Sequence, residues 1–549
     1  MTMEAKSRGN APYRLIIGYL SIFIAFVGGI LLLPLLLIAF YPTEWGAYPA
    51  FLVPGGAALV LGSALAALLL RKGDRSRLGK HQDAVLLVAI WLSAVFIGAL
   101  PFFLADKLVV GPADRAQLSM SFSEAVFESV SGFSATGYSV TREANFLAGI
   151  EVPLDDAYYA SSCAHIFLFY RALTQFFGGV GLVLIVTSAI SDRYGLKLFF
   201  AEGHNDRLLP NLAKTAKVTF SIYCGIILLG SFVLWLFGMD FFEAICQSAC
   251  AMATGGFATR YSGFYYYFTD AYPGNGVLPY NYIGAETTMC IIMLLGATSF
   301  LLIYNLITGK FKNFIHDCEV RFVAVFLAMS IGLGTLFVAL QYNGGAGIDG
   351  FTAFRYSGFQ VISCLTTTGF GNAPSINILG PGIIAISILA MVIGGGAGST
   401  AGASKQLRVV VVLKEVWWSI KFKLSPRREM RPHNIWRAGK SVEVTPETFQ
   451  ENSIYLVIYL ITLVTISVLV LAVPNMSAEN SLYITASALS GTGNTVVDFL
   501  AYGESNPLWA YNYVLWFMSL SMFLGRLEIL PMYYCVVRAT KDLFRQETI

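Results

Sequence analysis

Apolar residues gather in ten long runs: Leu15–Phe40, Phe51–Leu70, Ala84–Leu104, Ala164–Ile190, Val218–Phe237, Ile283–Ile307, Phe322–Leu340, Gly380–Trp418, Ile454–Val473 and Leu508–Val537. A helix of about 20 apolar residues crosses a hydrocarbon core of roughly 30 Å, so each run predicts a membrane span. The first exceeds the apolar core of a signal peptide, about 7–15 residues, and lacks an obvious small-residue cleavage site; it reads as a retained helix. Four stretches break the pattern: "FSEAVFESVSGFSATGYS", "FFEAICQSACAMATGGFATR", "FTAFRYSGFQVISCLTTTGFGN" and "LYITASALSGTGN". Each holds a helical segment of about 12 residues, which at 1.5 Å per residue reaches only halfway across.

Each half-length helix then ends in Thr-Gly or Ser-Gly: Thr136-Gly137, Thr254-Gly255, Thr368-Gly369 and Ser490-Gly491. Those glycines stand 118, 114 and 122 residues apart. A near-constant period marks an internal repeat, here of span, half-helix, polar glycine loop and span. Four copies use eight spans and leave two at the N-terminus. The expected units are an N-terminal two-helix extension (1–82) and pore repeats at 83–217, 218–318, 319–452 and 453–549. The fold class is an all-α polytopic membrane protein with four span–pore-helix–span repeats.

Composition agrees. The 549 residues are 56% hydrophobic and 13% charged, whereas soluble domains carry about 25% charged residues. Of the 36 basic residues, 29 lie in six segments that fall on one side of the ten spans: the N-terminus, 71–81, 191–217, 308–321, 404–452 and the tail after Val537. The positive-inside rule makes that side, with both termini, cytoplasmic. The eight cysteines form no Cys-x-x-Cys pair and the five histidines are isolated in sequence, so no zinc or redox site is signalled. No span repeats arginine every third position, which excludes a voltage sensor. No cluster of acids, histidines and a nucleophile suggests a membrane enzyme.

Irregular backbone at membrane depth survives only where protein or water covers it. Four re-entrant loops satisfy that condition if they meet around an axis. Their carbonyl oxygens would then replace the hydration shell of an alkali cation, with glycine allowing the φ values that turn carbonyls inward. The candidate ion-binding residues are therefore Thr136, Gly137, Thr254, Gly255, Thr368, Gly369, Ser490 and Gly491. Glu124, Asp240, Glu243 and Asp349 sit near the half-helix starts, where acids suit the helix dipole first and an outer mouth second.

Two further elements stand out. Gly380–Trp418 would be about 58 Å long as one helix, nearly twice the bilayer core, so it must break, bend or protrude. Its centre, "GGGAGSTAGASK", is a poor helix because each glycine costs about 1 kcal/mol relative to alanine. Gly394, Gly395, Gly396, Gly398, Ser399 and Thr400 are the candidates for an intramembrane gate; close helix packing by small residues is the alternative. Arg526 lies deep in an apolar run, where an arginine costs about 2.5–3.5 kcal/mol. It is expected to face the pore below the filter and hold the gate loop through carbonyls. For Arg171, near the outer end of its span, snorkelling suffices. Ser404–Asn452 is the largest inside segment and the best docking candidate for a regulator or for anionic lipid.

At "FESVSGFSATG", "RALTQFFGGVG", "FRYSGFQVISCLTTTGFG", "GGGAGSTAGASKQLR" and "GRLEILP" the chain resembles the Trk/Ktr/HKT superfamily of potassium transporters, and among them the TrkH-type membrane subunits of bacteria. The likeness covers nearly the whole chain. It implies pseudo-fourfold symmetry around one pore, a potassium filter at the four glycines, and two extra N-terminal helices. It also implies a homodimer in the bacterial inner membrane and a cytoplasmic TrkA-type nucleotide-binding regulator. Gly137, where a sodium-preferring branch carries serine, favours potassium. "LSGTGN" departs from the pattern, with no aromatic after its glycine. No cofactor is expected, since ion flux follows the membrane potential and no nucleotide-binding glycine motif follows a strand; the transported ion is potassium. Membrane lipid is an expected partner and nucleic acid is not. A sodium- or proton-coupled symporter of the same fold is the alternative.

Overall fold

The computed structural model describes residues 11–70, 82–108, 120–142, 164–181, 212–268, 272, 274–344, 347–424 and 433–527, with 529, 532, 533 and 537 beyond them. Most of the expected basic segments 71–81 and 191–217, and the tail, lie outside these residues. Helices α1 (Ala11–Leu32) and α2 (Tyr48–Leu69) form an N-terminal hairpin joined by 3-10 turns. Gly28 faces the backbone of Gly55 and Leu59, and Gly62 faces Ser21 and Ala25, so the two helices approach backbone to backbone.

The remaining helices follow the span–half-helix–span order. Helices α3 (Gln82–Leu108), α4 (Phe122–Phe133) and α5 (Ala164–Val180) come first. Then come α6 (Leu212–Leu236), α7 (Phe241–Met252), α8 (Tyr282–Gly296), α9 (Phe300–Ile307) and the short α10 (Phe311–Ile315). The third set is α11 (Cys318–Gln341), α12 (Gly350–Leu365), α13 (Pro381–Ile393) and α14 (Gln406–Leu424). A hairpin follows, β1 (Asn434–Arg437) paired antiparallel with β2 (Lys440–Glu443). The last set is α15 (Pro446–Val470), α16 (Ala478–Ser490), α17 (Phe499–Ser505) and α18 (Leu508–Arg526).

Among the described residues, six helices are long and apolar enough to span a membrane, and α8 with α9 adds a bent pair. Polarity is inverted relative to a water-soluble protein. Leu228, Leu229, Phe232, Leu333, Val457 and Val468 are exposed on the long helices, while Ser129, Ser131, Gln247, Ser363 and Ser487 on the half-helices are buried. The exposed apolar faces suit lipid, and the polar half-helices are enclosed by the spans packed beside them.

Not every expected span runs through: the helix in Ala164–Ile190 ends at Val180, that in Leu508–Val537 ends at Arg526, and two others break internally. Ile283–Ile307 breaks at Ala297–Ser299 and turns by 113° into α9. The break is stabilised because the Gly394–Lys405 segment supplies partners for the freed backbone: Gly396 N donates to the Ala297 carbonyl at 2.8 Å, Thr400 N to the Gly296 carbonyl at 3.2 Å, and Phe300 N to the Gly398 carbonyl at 3.3 Å. Gly380–Trp418 does break as its length requires, into α13 and α14 around that segment. Ser404–Asn452 is largely structured, comprising α14, the β-hairpin and the first turns of α15.

Candidate ion-conduction site

The four half-helices end alike. In each, one N–H reaches back three residues and the next reaches back five, the pattern of a Schellman motif. Ala135 N donates to Gly132 O and Thr136 N to Ser131 O; Thr254 N to Ala251 O and Gly255 N to Cys250 O. Likewise Thr367 N donates to Cys364 O and Thr368 N to Ser363 O; Gly491 N to Ala488 O and Thr492 N to Ser487 O. The turning residue has positive φ in every case: Ala135 at 54°, Thr254 at 52°, Thr367 at 54° and Gly491 at 75°. Three of the four therefore hold a side chain in the left-handed region, at roughly 1–2 kcal/mol each.

Two residues beyond each turning residue stands a glycine of positive φ: Gly137, Gly256, Gly369 and Gly493. A Cβ placed on Gly137 would overlap the carbonyl oxygen of Gly255. On Gly256 it would overlap that of Thr368, on Gly369 that of Thr492, and on Gly493 that of Thr136. Four glycines and four carbonyls thus close a ring, each repeat pressed against the next and the fourth against the first. Equivalent segments read Ala-Thr-Gly-Tyr (135–138), Thr-Gly-Gly-Phe (254–257), Thr-Thr-Gly-Phe (367–370) and Gly-Thr-Gly-Asn (491–494). This register corrects the sequence assignment in two repeats. The glycine equivalent to Gly137 and Gly369 is Gly256 rather than Gly255, and Gly493 rather than Gly491. Ser490 and Gly491 belong to the turn beneath the ring.

Side-chain hydrogen bonds brace the ring. Hydroxyl pairs Ser134–Thr136, Thr366–Thr368 and Ser490–Thr492 lie at 2.7, 2.9 and 2.6 Å. The second repeat has no such pair. There Gln175 Nε2 donates to the Gly255 carbonyl at 2.6 Å and Gln175 Oε1 accepts from Phe257 N at 3.1 Å. A side chain on Gly255 would collide with Gln175, which accounts for the double glycine.

The second spans cross the half-helices at glycine. A Cβ on Gly178 would meet Phe133 O, on Gly296 Met252 O, and on Gly525 Leu489 O, each carbonyl two residues before the turning residue. In the third set the matching glycine, Gly394 in "VIGGG", has φ 71° and ends α13, and the chain leaves the helix instead of crossing. The segment that follows lies under the ring. Thr400 Oγ1 donates to Met252 O and Gly296 O at 3.0 and 2.8 Å, and Thr254 Oγ1 donates to Thr400 Oγ1 at 3.2 Å. Gly402 N donates to Thr367 Oγ1 at 3.0 Å. A cavity of about 30 Å³, room for ~2 waters, is lined by Ser134, Gly398, Thr400, Ser490, Gly491 and Arg526 among others.

Arg526 follows Gly525, so it occupies the place held by Gly179 after Gly178 and by Ala297 after Gly296. Its guanidinium donates to the Thr400 carbonyl at 3.4 Å, to Gly179 O at 3.3 Å and to Gly178 O. It ties the loop after α13 to the end of α5. Lys405, on the same cavity, donates through Nζ to Ala401 O. Two cations thus stand where half-helix C-termini place partial negative charge.

At the opposite ends the acids act mainly on their helices. Glu124 and Ser121 form a capping box, and Asp240 and Asp349 cap α7 and α12. Hydrogen bonds from Thr352 hold the Asp349 carboxyl below its usual pKa. Glu243 pairs with Arg260 at 2.6 Å. Arg171 does not snorkel: it is 2% exposed, pairs with the fully buried Glu128 at 2.7 Å, and donates to the Ala258 carbonyl at 3.0 Å. Its guanidinium also covers the Phe257 ring at 4.0 Å.

The profile described as TrkH, cation transport protein, matches residues 57–543. The chain belongs to the TrkH cation transport family. It is 25% identical over 529 residues to the Trk system potassium uptake protein TrkH of Salmonella typhimurium, covering 94% of this chain and 97% of that one. It is also 25% identical to a cation transporter of Methanocaldococcus jannaschii, over 88% and 86% of the two chains. The crystal structure of the potassium transporter TrkH from Vibrio parahaemolyticus superimposes with a TM-score of 0.74 at 22% identity, over 95% of this chain and 98% of that one. The TrkH-family fold is therefore this chain's fold, and the chain is a membrane cation transporter rather than an enzyme.

Within that TrkH-family frame, the structure brings Thr136, Gly137, Thr254, Gly255, Thr368 and Gly369 to the ring or the turns beneath it. Sequence reading missed Thr492, Gly256, Gly493, Gln175 and Lys405. A cue was present for the glycines: in the shifted register an aromatic follows glycine in three repeats, Tyr138, Phe257 and Phe370. The crossing glycines Gly178, Gly296 and Gly525 share a weaker cue, each following a phenylalanine or leucine within an apolar run. Nothing in the sequence signalled Gln175.

Proposed function

We propose that the chain conducts potassium into the cell along the axis of the four-loop ring. The observation that carries the reading is the cyclic closure itself, in which the carbonyls of Thr136, Gly255, Thr368 and Thr492 abut the glycines of successive repeats. Oxygens so placed replace the water around a bare alkali cation, and glycine is required because any Cβ would displace a neighbouring carbonyl. Thr254, Ser490 and Gly491 then form the floor of this filter. The relatives named for potassium uptake supply the ion.

The segment Gly394–Thr400 is the gate in this reading, and Arg526 its latch. The loop closes the path below the ring, and the guanidinium adds an electrostatic barrier to cations while it holds the Thr400 carbonyl. The repeat boundaries at 83–217, 218–318, 319–452 and 453–549 are consistent with the half-helix positions. The protein is proposed to be a homodimer of the bacterial inner membrane with both termini cytoplasmic. A TrkA-type nucleotide-binding subunit is its regulator, docking on the basic cytoplasmic face. Coupling to sodium or protons is the alternative, distinguished by whether flux reverses at the potassium equilibrium potential.

Flux into liposomes with K⁺, Rb⁺, Na⁺ and Li⁺ tests the reading. Potassium and rubidium are expected to pass well ahead of sodium and lithium, with Gly493→Ala abolishing the preference. Equal flux of all four ions, or no effect of Gly493→Ala, would overturn it.

A further inference from the structure

The intramembrane loop is tied to the cytoplasmic hairpin through two buried carboxylates at one helix end. Asp317 caps α11: its Oδ1 accepts from Glu319 N at 2.9 Å. Its other oxygen, Oδ2, accepts from Ala438 N at 2.8 Å. Ala438 and Gly439 both have positive φ, at 48° and 87°, and form the two-residue turn between β1 and β2. Glu319, in the first turn of the same helix, turns the other way. Its Oε1 accepts from Ala397 N at 3.0 Å, inside the Gly394–Lys405 loop. Asp317 is 1% exposed and Glu319 4%.

The hairpin is seated firmly. Ile435 and Val444 are buried with Cys318, Val410 and Val411 in one apolar cluster joining the hairpin to α11 and α14. Gly439 lies against the Asn313 side chain, and His433 stacks on Trp418 with ring centroids 4.6 Å apart. A displacement of the hairpin therefore pulls on Asp317, and through the same helix turn on Glu319 and the loop. Carboxylates at a helix N-terminus are held by its dipole, so both anions have a fixed seat from which to act.

We propose that Asp317 and Glu319 are positioning residues that couple the cytoplasmic hairpin to the intramembrane loop, Glu319 holding the loop in its closed form and Asp317 transmitting force from the hairpin. The proposal rests on the gate reading of Gly394–Thr400. A protein that binds and shifts the hairpin would open the path without contacting the pore.

Single-channel recording of the full-length protein in planar bilayers separates the parts. Glu319→Ala is expected to raise open probability about tenfold, the size of one lost charged hydrogen bond, with unitary conductance and K⁺/Na⁺ preference unchanged. Glu319→Gln keeps an acceptor oxygen and is expected to remain near the parent. Asp317→Ala is expected to raise open probability too, and the double alanine variant to add nothing to Glu319→Ala, because the two act in series. If Thr400→Ala raises open probability while Glu319→Ala does not, the coupling is overturned and the gate reading stands. If neither changes it, the gate reading fails and the coupling with it. Should the alanine variants not assemble, hydrogen exchange in Ile435→Ala protein, which loosens the hairpin from its apolar seat and leaves both carboxylates in place, decides. Faster exchange across 394–402 supports the coupling, and unchanged exchange overturns it.

Discussion

Replacing Gly369 by alanine is the sharpest local perturbation of the ring. Its φ of 86° lies where an L residue is strained by roughly 1–3 kcal/mol. The larger effect is steric: the new Cβ would overlap the carbonyl oxygen of Thr492 and approach Asn494 N at 3.1 Å. Backbone atoms cannot rotate away like a side-chain tip, so that carbonyl must retreat by roughly 1.6 Å to restore van der Waals contact at 3.4 Å. One ring oxygen then loses its contact with the ion. A hydrogen bond to a charged group, the nearest measured analogue, contributes about 1.5–3 kcal/mol, which converts to roughly a ten- to hundredfold loss of K⁺/Na⁺ discrimination. Gly371, two residues on, is the control, since a Cβ there meets nothing within 4 Å. The assay is competitive ⁸⁶Rb⁺ uptake against Na⁺ in liposomes. Gly369→Ala should lose discrimination while Gly371→Ala keeps it. Retained discrimination in Gly369→Ala, or equal loss in both variants, would refute the steric reasoning.

Three further outcomes follow from the same geometry. Gly491→Ala should be tolerated, because its equivalents are Ala135, Thr254 and Thr367 and a Cβ there meets only Thr136 Oγ1 at 3.9 Å, whereas Gly493→Ala should abolish selectivity; paired uptake assays check the contrast. Arg526→Ala should raise potassium flux severalfold by freeing the Thr400 carbonyl, and Arg526→Lys should restore only part of the closure because an ammonium cannot fork across several carbonyls; liposome flux reads both. Arg171→Ala leaves Glu128 as a buried uncompensated charge and should destabilise the fold by about 3–5 kcal/mol, while Arg171→Met combined with Glu128→Gln should lose less; thermal unfolding in detergent measures the difference.

Much of the architecture was legible because lipid imposes simple rules. Apolar runs of span length and four short helices ending in glycine loops led to the correct fold class. The register of two loops was not legible, for a physical reason. In "ATGGFA" and "LSGTGN" the chain offers two glycines, and sequence alone does not say which takes the ring position and which answers another need. In the second repeat Gly255 makes room for Gln175, a residue 80 positions away. In the fourth, Gly491 takes the left-handed turn that the other repeats strain an alanine or threonine to make. The break after Gly296 was hidden too, since the sequence there is apolar on both sides. Its cause is the loop after α13, more than 90 residues downstream, which supplies the missing backbone partners. Arg171 was misplaced because its burial depends on Glu128 and on the second pore loop, neither adjacent in sequence.

If the ring conducts, a cation binds inside the circle closed by Thr136, Gly255, Thr368 and Thr492. Anomalous diffraction from crystals grown in rubidium chloride tests it most directly. A rubidium peak is expected on the axis, coordinated by those four carbonyl oxygens and lost when sodium replaces rubidium and potassium. An axis without a peak, or rubidium bound only away from the ring, would contradict it.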